Sequence, residues 1–240
     1  MTPAAASPTT LVLTAHGSAD PRSAAVTYAV AAEIRVMRPG LDVRVAFCEQ
    51  NRPNLREVLA DVRTGVVSPL LLADAYHARV DIPALIAESG ADVQRADPLG
   101  EDDRLIAVLR ERLAVLGVSR MDSGLGVLVA AVGSSRPDAN ARTARVADAL
   151  IEGTRWYAGA AFATGPRPTL QEAAEQLRDA GASHLVLAPW FLAPGRITDR
   201  VAEFADSSGI PMAEPLGAHR FVAATVLDRF DQASAARVAA

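Results

Sequence analysis

Three side chains stand out by type and position: His16, His77 and Glu49. Neutral imidazole is a good ligand for first-row divalent metals, and it titrates near neutral pH, so it can also accept a proton. A carboxylate nearby can do the same when burial raises its pKa. His16 closes the short apolar run Leu11-Val12-Leu13-Thr14-Ala15 and is followed by Gly17-Ser18. Glycine at that place allows a tight turn and close approach of a ligand to the backbone. The helix expected next would offer free N–H groups and a positive dipole end to an anion. Alone, His-Gly-Ser is a weak motif, because a histidine that merely caps a turn reads the same.

The chain supplies its own control by repeating itself. Leu11 to Ser18 pairs with Val127 to Ser134, each an apolar run ending in Gly-Ser, with Pro21 and Pro137 following. Phe47, Pro53, Leu55 and Glu57 recur at the same spacing as Phe162, Pro168, Leu170 and Glu172. Val67 to Ala73 pairs with Leu187 to Ala193, and Asp97-Pro98-Leu99-Gly100 with Glu214-Pro215-Leu216-Gly217. Four blocks in one order mark an internal duplication. Val132 stands where His16 would be, and Ile197, eight residues from Pro189 as His77 is from Pro69, stands where His77 would be. Thr164 replaces Glu49. A requirement of the fold would keep histidine in both copies; joint loss marks one site kept in one half. For Glu49 a solvated loop carboxylate is the plain alternative.

The elements that must position these groups follow from the pattern. Each copy reads β-α-β-α-β-α-β-α, in the first with strands near 10–16, 42–47, 66–73 and 92–96 and helices near 22–38, 54–64, 80–89 and 101–116. The strands are apolar without alternation, as when helices cover both sheet faces. The fold class expected is α/β: two tandem flavodoxin-like units, each a four-stranded parallel sheet of order 2-1-3-4 with helices on both faces. Ligands of such sheets bind beyond the carboxyl ends of the strands, where the order reverses. That is between strands one and three, where His16 and His77 fall. The domains expected are residues 1–120, carrying the site, and a degenerate repeat over 121–240, joined through Gly117 to Gly124.

Composition excludes other classes. Half of the residues are hydrophobic and 22% are charged, which suits a packed core. A net charge of −4 with no Lys/Arg run does not suggest nucleic-acid binding. All the basic residues are Arg, a bias that codon usage explains as well as carboxylate recognition does. The single Cys48 rules out an intrachain disulfide and fits a reducing cytoplasm; Met1 to Thr10 do not read as a signal peptide, and no apolar run reaches membrane-spanning length. Cys48 reads as a buried structural thiol and His184, opening a strand, as structural; His219 lies at a strand-end loop and reads mainly as structural too.

His16-Gly17-Ser18 with Asp20-Pro21, Phe47-Cys48-Glu49 with Pro53, Pro69 to Leu72 leading to His77, Val80-Asp81-Ile82-Pro83, and Pro98-Leu99-Gly100 together resemble the class II chelatases of the CbiX/SirB type. The resemblance covers most of the first copy; the second matches in framework only. It implies an enzyme, a lyase-type chelatase inserting a divalent metal into sirohydrochlorin, with His16 and His77 as metal-binding histidines and Glu49 as the carboxylate beside them. Fe2+, giving sirohaem, is the metal favoured; Co2+ on the route to cobalamin, or a non-catalytic metal or tetrapyrrole carrier, are the alternatives, and Ni2+ also suits the ligands. No tightly bound cofactor is expected. Asp74-Ala75-Tyr76 stands where many members have glycines before the histidine. The substrate is a polycarboxylate, so Gly17, Ser18, Arg22, Arg52 and Arg79 are expected to bind it, the arginines forming a rim on the histidine edge, with Arg136 and Arg196 in comparable places. Trp190, Phe191 and Pro194 would offer the macrocycle an apolar wall, with core packing as the alternative for the aromatics. A monomer is expected, because the duplication supplies both halves of a cleft.

Overall fold

The computed structural model describes residues 10–73 and 80–239, with side chains as far as 236. His77 and Arg79, with Asp74 and Tyr76, lie outside the described residues. The chain packs as two compact units, one comprising residues up to Gly100 together with those from Ala223, the other Glu101–Val222.

Unit 1 runs β1 (Thr10–Ala15), α1 (Pro21–Met37), β2 (Val43–Phe47), α2 (Leu55–Ala60), β3 (Thr64–Pro69), α3 (Ile82–Ser89) and β4 (Asp92–Arg95). Its sheet is parallel in the order β2-β1-β3-β4, as the sequence predicts. β1 lies in the middle and is buried at every residue, which is why it reads apolar on both faces. On one face Val12, Ala46 and Val67 pack with Leu55, Val58 and Leu59 of α2 and with Ile82 of α3. The helix starts are set locally. Asp20 caps α1 by accepting from the Arg22 N–H, with Pro21 as the first helical residue. Asn54 and Glu57 form a capping box on α2, Glu57 N–H to Asn54 Oδ1 2.9 Å and Asn54 N–H to Glu57 Oε2 3.0 Å.

Unit 2 contains α4 (Asp103–Val115), β5 (Leu125–Ala131), α5 (Pro137–Ile151), β6 (Tyr157–Phe162), α6 (Leu170–Asp179), β7 (His184–Pro189) and α7 (Arg196–Ser207). Its sheet has three strands, in the order β6-β5-β7, not the four expected. The fourth shrinks to one parallel bridge between Leu187 and Met212. Where unit 1 has Asp92-Val93-Gln94-Arg95, unit 2 has Gly209-Ile210-Pro211-Met212. Gly209 sits at φ 64°, outside the extended region, and Pro211 has no N–H to give the ladder. What survives is Leu187 N–H to Pro211 O (2.8 Å) and Ala213 N–H to Leu187 O (2.9 Å). Phe191 and Trp190 are 6% and 2% exposed, and Phe191 packs with Leu128, Leu187 and Val201. They are core residues, so they present no apolar wall to a ligand.

The packing boundary also departs from the repeat boundary expected at residue 120. The helix that ends the first repeat, α4, packs in unit 2. The last helix, α8 (Arg220–Ala239), belongs from Ala223 onward to unit 1. An arginine explains each placement. Arg229 on α8 donates to the Pro98 and Leu99 carbonyls at 3.4 and 3.2 Å, and Arg112 on α4 donates to the Leu216 carbonyl at 3.2 Å. The two arginines occupy equivalent repeat positions and hold equivalent Pro-Leu-Gly turns, each in the unit built around the other repeat's strands. Arg110 secures α4 further through the carbonyls of Ala149 (2.5 Å) and Leu150 (3.1 Å) at the end of α5. Asp231 on α8 takes both guanidinium nitrogens of Arg38, the C-cap of α1, at 2.5 and 2.7 Å.

Candidate functional site

The parallel ladder continues past the ends of β1 and β2 and so brings His16 beside Glu49. Cys48 N–H donates to Ala15 O and Glu49 N–H to His16 O, both at 3.0 Å. The side chains then meet, His16 Nε2 to Glu49 Oε1 at 3.1 Å, with exposures of 35% and 53%. An imidazole and a carboxylate at this distance share a proton or hold one cation between them. Among the described residues no cluster of three His, Cys, Asp or Glu side chains is set to hold a metal ion. The described part of the site thus gives one nitrogen and one carboxylate donor, at the sheet's carboxyl edge where strand order reverses.

Gly17 and Ser18 serve the backbone here. Gly17 has φ 100°, and a Cβ there would collide with the Glu49 carbonyl oxygen, so the close approach is between two stretches of this chain. Ser18 N–H donates to Asn51 Oδ1 (2.6 Å) and its hydroxyl accepts from Asp20 N–H (3.0 Å). The other repeat repeats this pattern: Gly133 has φ 94°, and Ser134 N–H donates to Asn140 Oδ1 (2.8 Å). The expected arginine rim is tied down as well. Arg22 forms a bidentate pair with Asp20 (Nη2 to Oδ2 2.6 Å), whose carboxylate also occupies the α1 N-terminus expected to attract an anion. Arg52 pairs with Glu57 at 2.6 Å, and Arg167 pairs with Glu172 at 2.6 Å in the other repeat, which marks Arg52 as framework. Arg136 pairs with Asp138 at 3.0 Å.

Two further side chains belong to the site. Cys48 is half-buried, and burial, with Asp81 and Glu49 nearby, pushes its thiol up to about 11, so it stays protonated at neutral pH. Gln50 is missing from the expected set. It sits at φ 61°, the one non-glycine residue with positive φ among those described, and its amide lies 3.4 Å from Glu49 Oε1. The other repeat has Gly165 there, at φ 74°. The signal available in the sequence was that pairing of Gln with Gly. A cavity of about 370 Å3 opens beside Glu49, lined also by Gln50, Asn51 and Arg56. His184 and His219 are structural: His184 Nε2 meets Asp122 Oδ2 at 3.0 Å, and His219 accepts from Phe221 N–H at the start of α8 while Nε2 meets Glu111 at 3.1 Å.

Comparison with known proteins bears on the family and the fold. The chain is 27% identical over 205 residues to a sirohydrochlorin cobaltochelatase of Priestia megaterium, covering 78% of this chain and 65% of that protein. The chain therefore spans less than two thirds of that relative's length. It is 24% identical over 217 residues to a sirohydrochlorin ferrochelatase of the same organism, covering 76% and 81%. The crystal structure of SirB from Bacillus subtilis with Fe3+ superposes with a TM-score of 0.82 at 21% identity, over 95% of this chain and 96% of that one, a likeness of fold. The family model named CbiX matches twice, over residues 10–116 and 126–233, the two repeats read from the sequence. With both copies matched and nearly the whole chain covered, this protein belongs to the CbiX family.

Proposed function

We propose that this protein is a sirohydrochlorin chelatase, an enzyme that inserts a divalent metal ion into the tetrapyrrole. The observation that carries the reading is the His16–Glu49 pair at 3.1 Å, set against Val132 and Thr164 on the same backbone in the other repeat. Relatives bearing chelatase names support it. The metal is a substrate here, held by His16 and His77 with Glu49 beside them. Imidazole and carboxylate leave coordination positions open to the incoming pyrrole nitrogens, and so release the ion. Two pyrrole protons leave as one divalent ion enters. Glu49, in hydrogen-bond reach of His16, provides the first acceptor, and the imidazole, once it has given up the metal, provides the second. Fe2+ is the favoured substrate, with sirohaem as product; Co2+ serves the same donor set, as the names of both relatives allow, and Ni2+ suits it chemically. No tightly bound cofactor is needed for this chemistry.

The rest of the reading follows from that assignment. The catalytic region lies within residues 1–120, and residues 121–240 are a repeat that has lost the site. No helix among the described residues is long and apolar enough to cross a membrane; with one cysteine this supports a cytoplasmic enzyme, working as a monomer because the duplication stands in for a second subunit. Arg22 and Arg79 would meet the substrate's carboxylates, Arg22 by exchanging Asp20 for one of them.

Anaerobic absorbance of sirohydrochlorin mixed with the protein and Fe2+, Co2+ or Ni2+ in turn tests the proposal. The expected result is metallation faster than the uncatalysed reaction with at least one metal, and its loss in His16→Ala. No acceleration with any metal rejects the enzyme, and binding without turnover would favour a carrier.

A further inference from the structure

The cavity beside Glu49 is lined by two kinds of residue. Pro53, Leu55 and Glu57 form the turn and helix start next to it and recur as Pro168, Leu170 and Glu172; Arg52 on its wall recurs as Arg167. The backbone is the same in both repeats, since Phe47 N–H donates to Pro53 O and Phe162 N–H to Pro168 O, each at 3.0 Å. Of the residues on its wall Arg52 and Leu55 are retained, and others are not. Glu49, Gln50, Asn51 and Arg56 give way to Thr164, Gly165, Pro166 and Gln171. The turn persists in a repeat without the histidines, while these four lining residues change with them.

Resting on the chelatase reading, we propose that this cavity is a subsite for one carboxylate-bearing arm of the tetrapyrrole, and that Arg56 binds that carboxylate. About 370 Å3 lies at the small end of ligand pockets, roughly 300–1,000 Å3, which suits a side arm and not the macrocycle. Among the described residues that line the cavity, Arg56 is the one cation without a counterpart in the other repeat. Its present partner is Glu88 on α3, at 2.5 Å, and both side chains are more than half exposed. An exposed pair of this kind is weak, so a substrate carboxylate can displace Glu88 at little cost and gain a planar, two-bond contact. Glu49 does not bar the arm, because its carboxylate is turned to His16. An arm seated here fixes the ring's edge within reach of the pair that handles metal and proton.

Two substitutions in the full-length protein separate this role from the ion pair. Arg56→Gln and Glu88→Gln break the same salt bridge, but only the first removes the guanidinium. Binding of metal-free sirohydrochlorin, followed by absorbance, is expected to weaken by at least about tenfold in Arg56→Gln, the low end of the value of one charged hydrogen bond. In Glu88→Gln it stays unchanged or tightens. An unchanged dissociation constant in Arg56→Gln, or equal weakening in both variants, overturns the subsite. Turnover is read separately: if the unsubstituted protein accelerates metallation with none of the three metals, the chelatase reading fails whatever the binding result.

Discussion

The two repeats keep one backbone and differ in what they place on it. In the first, Glu49 N–H bonds to the His16 carbonyl at 3.0 Å; in the second, Thr164 N–H bonds to the Val132 carbonyl at 2.9 Å. Past those bonds the side chains diverge. His16 and Glu49 meet through their polar ends, whereas Thr164 turns its hydroxyl back to the Val132 carbonyl at 2.8 Å and Val132 stands 40% exposed. An exposed valine at the sheet's carboxyl edge contributes nothing to a core. Its presence says that the histidine was dispensable to the fold. The largest effect expected from any pair of variants therefore lies here. His16→Ala should lower kcat/KM for metallation by at least about a hundredfold, on the order of 3 kcal/mol of transition-state stabilisation, and Val132→Ala by less than about twofold. Comparable losses in the two, with both proteins folded, would break the one-site picture.

The next contrast concerns the exchanged helices. Arg229 gives unit 1 two bonds to the Pro98 and Leu99 carbonyls, while Arg112 gives unit 2 a bond to the Leu216 carbonyl and leaves its Nε buried without a partner. Bonds from a charged donor are worth about 1.5–3 kcal/mol, and a buried unmet N–H costs part of that back. Arg229→Leu should thus destabilise by about 2 kcal/mol and Arg112→Leu by about 1 kcal/mol, read as the difference in thermal or urea unfolding. The reverse order would mean that α8 is held mainly through Arg38 and Asp231.

Much of this was legible in the sequence, for physical reasons that also mark where it stopped. The sheet order of unit 1, the helix starts at Pro21 and Asn54, and the meeting of His16 with Glu49 follow from local pattern: apolar runs, capping residues and strand ends. The missing strand of unit 2 turned on Gly209 and Pro211, two residues whose effect on a ladder was readable but was outweighed by the repeat. The exchange of α4 and α8 was not readable, because an amphipathic helix at the end of a repeat carries no mark of which sheet it will cover. The arginines were legible in position but not in pairing. Arg22 and Arg52 were placed at the right edge, but Asp20 and Glu57, both within five residues in sequence, claim them first.

Gln50 and Gly165 sharpen the comparison at smaller scale. A side chain at φ 61° is strained where glycine is at ease, at a cost of roughly 1–2 kcal/mol, partly offset by glycine's greater freedom in the unfolded chain. Gln50→Gly should then raise stability by about 1 kcal/mol, or roughly 2–4 °C in Tm for a chain of this size, and lower activity by removing the amide beside Glu49. A gain in stability with no change in turnover would make Gln50 a tolerated irregularity and remove it from the site.

The smallest expected effect lies inside the sheets. Ser68 in β3 pairs in register with Leu13 and is 2% exposed, and its hydroxyl is buried with no hydrogen-bond partner. Its counterpart in β7 is Ala188, which pairs in the same way with Val129 and is fully buried. A hydroxyl taken out of water without a partner costs about 1–3 kcal/mol, but alanine is a poorer strand residue than most and some of that penalty persists as lost packing. Ser68→Ala should therefore stabilise unit 1 by only about 0.5 kcal/mol, with metallation unchanged, measured by urea unfolding alongside the unsubstituted protein. A loss of stability instead would mean that the oxygen has a partner in solution, such as an ordered water, and that the polar residue in the first repeat's sheet is kept for its bond.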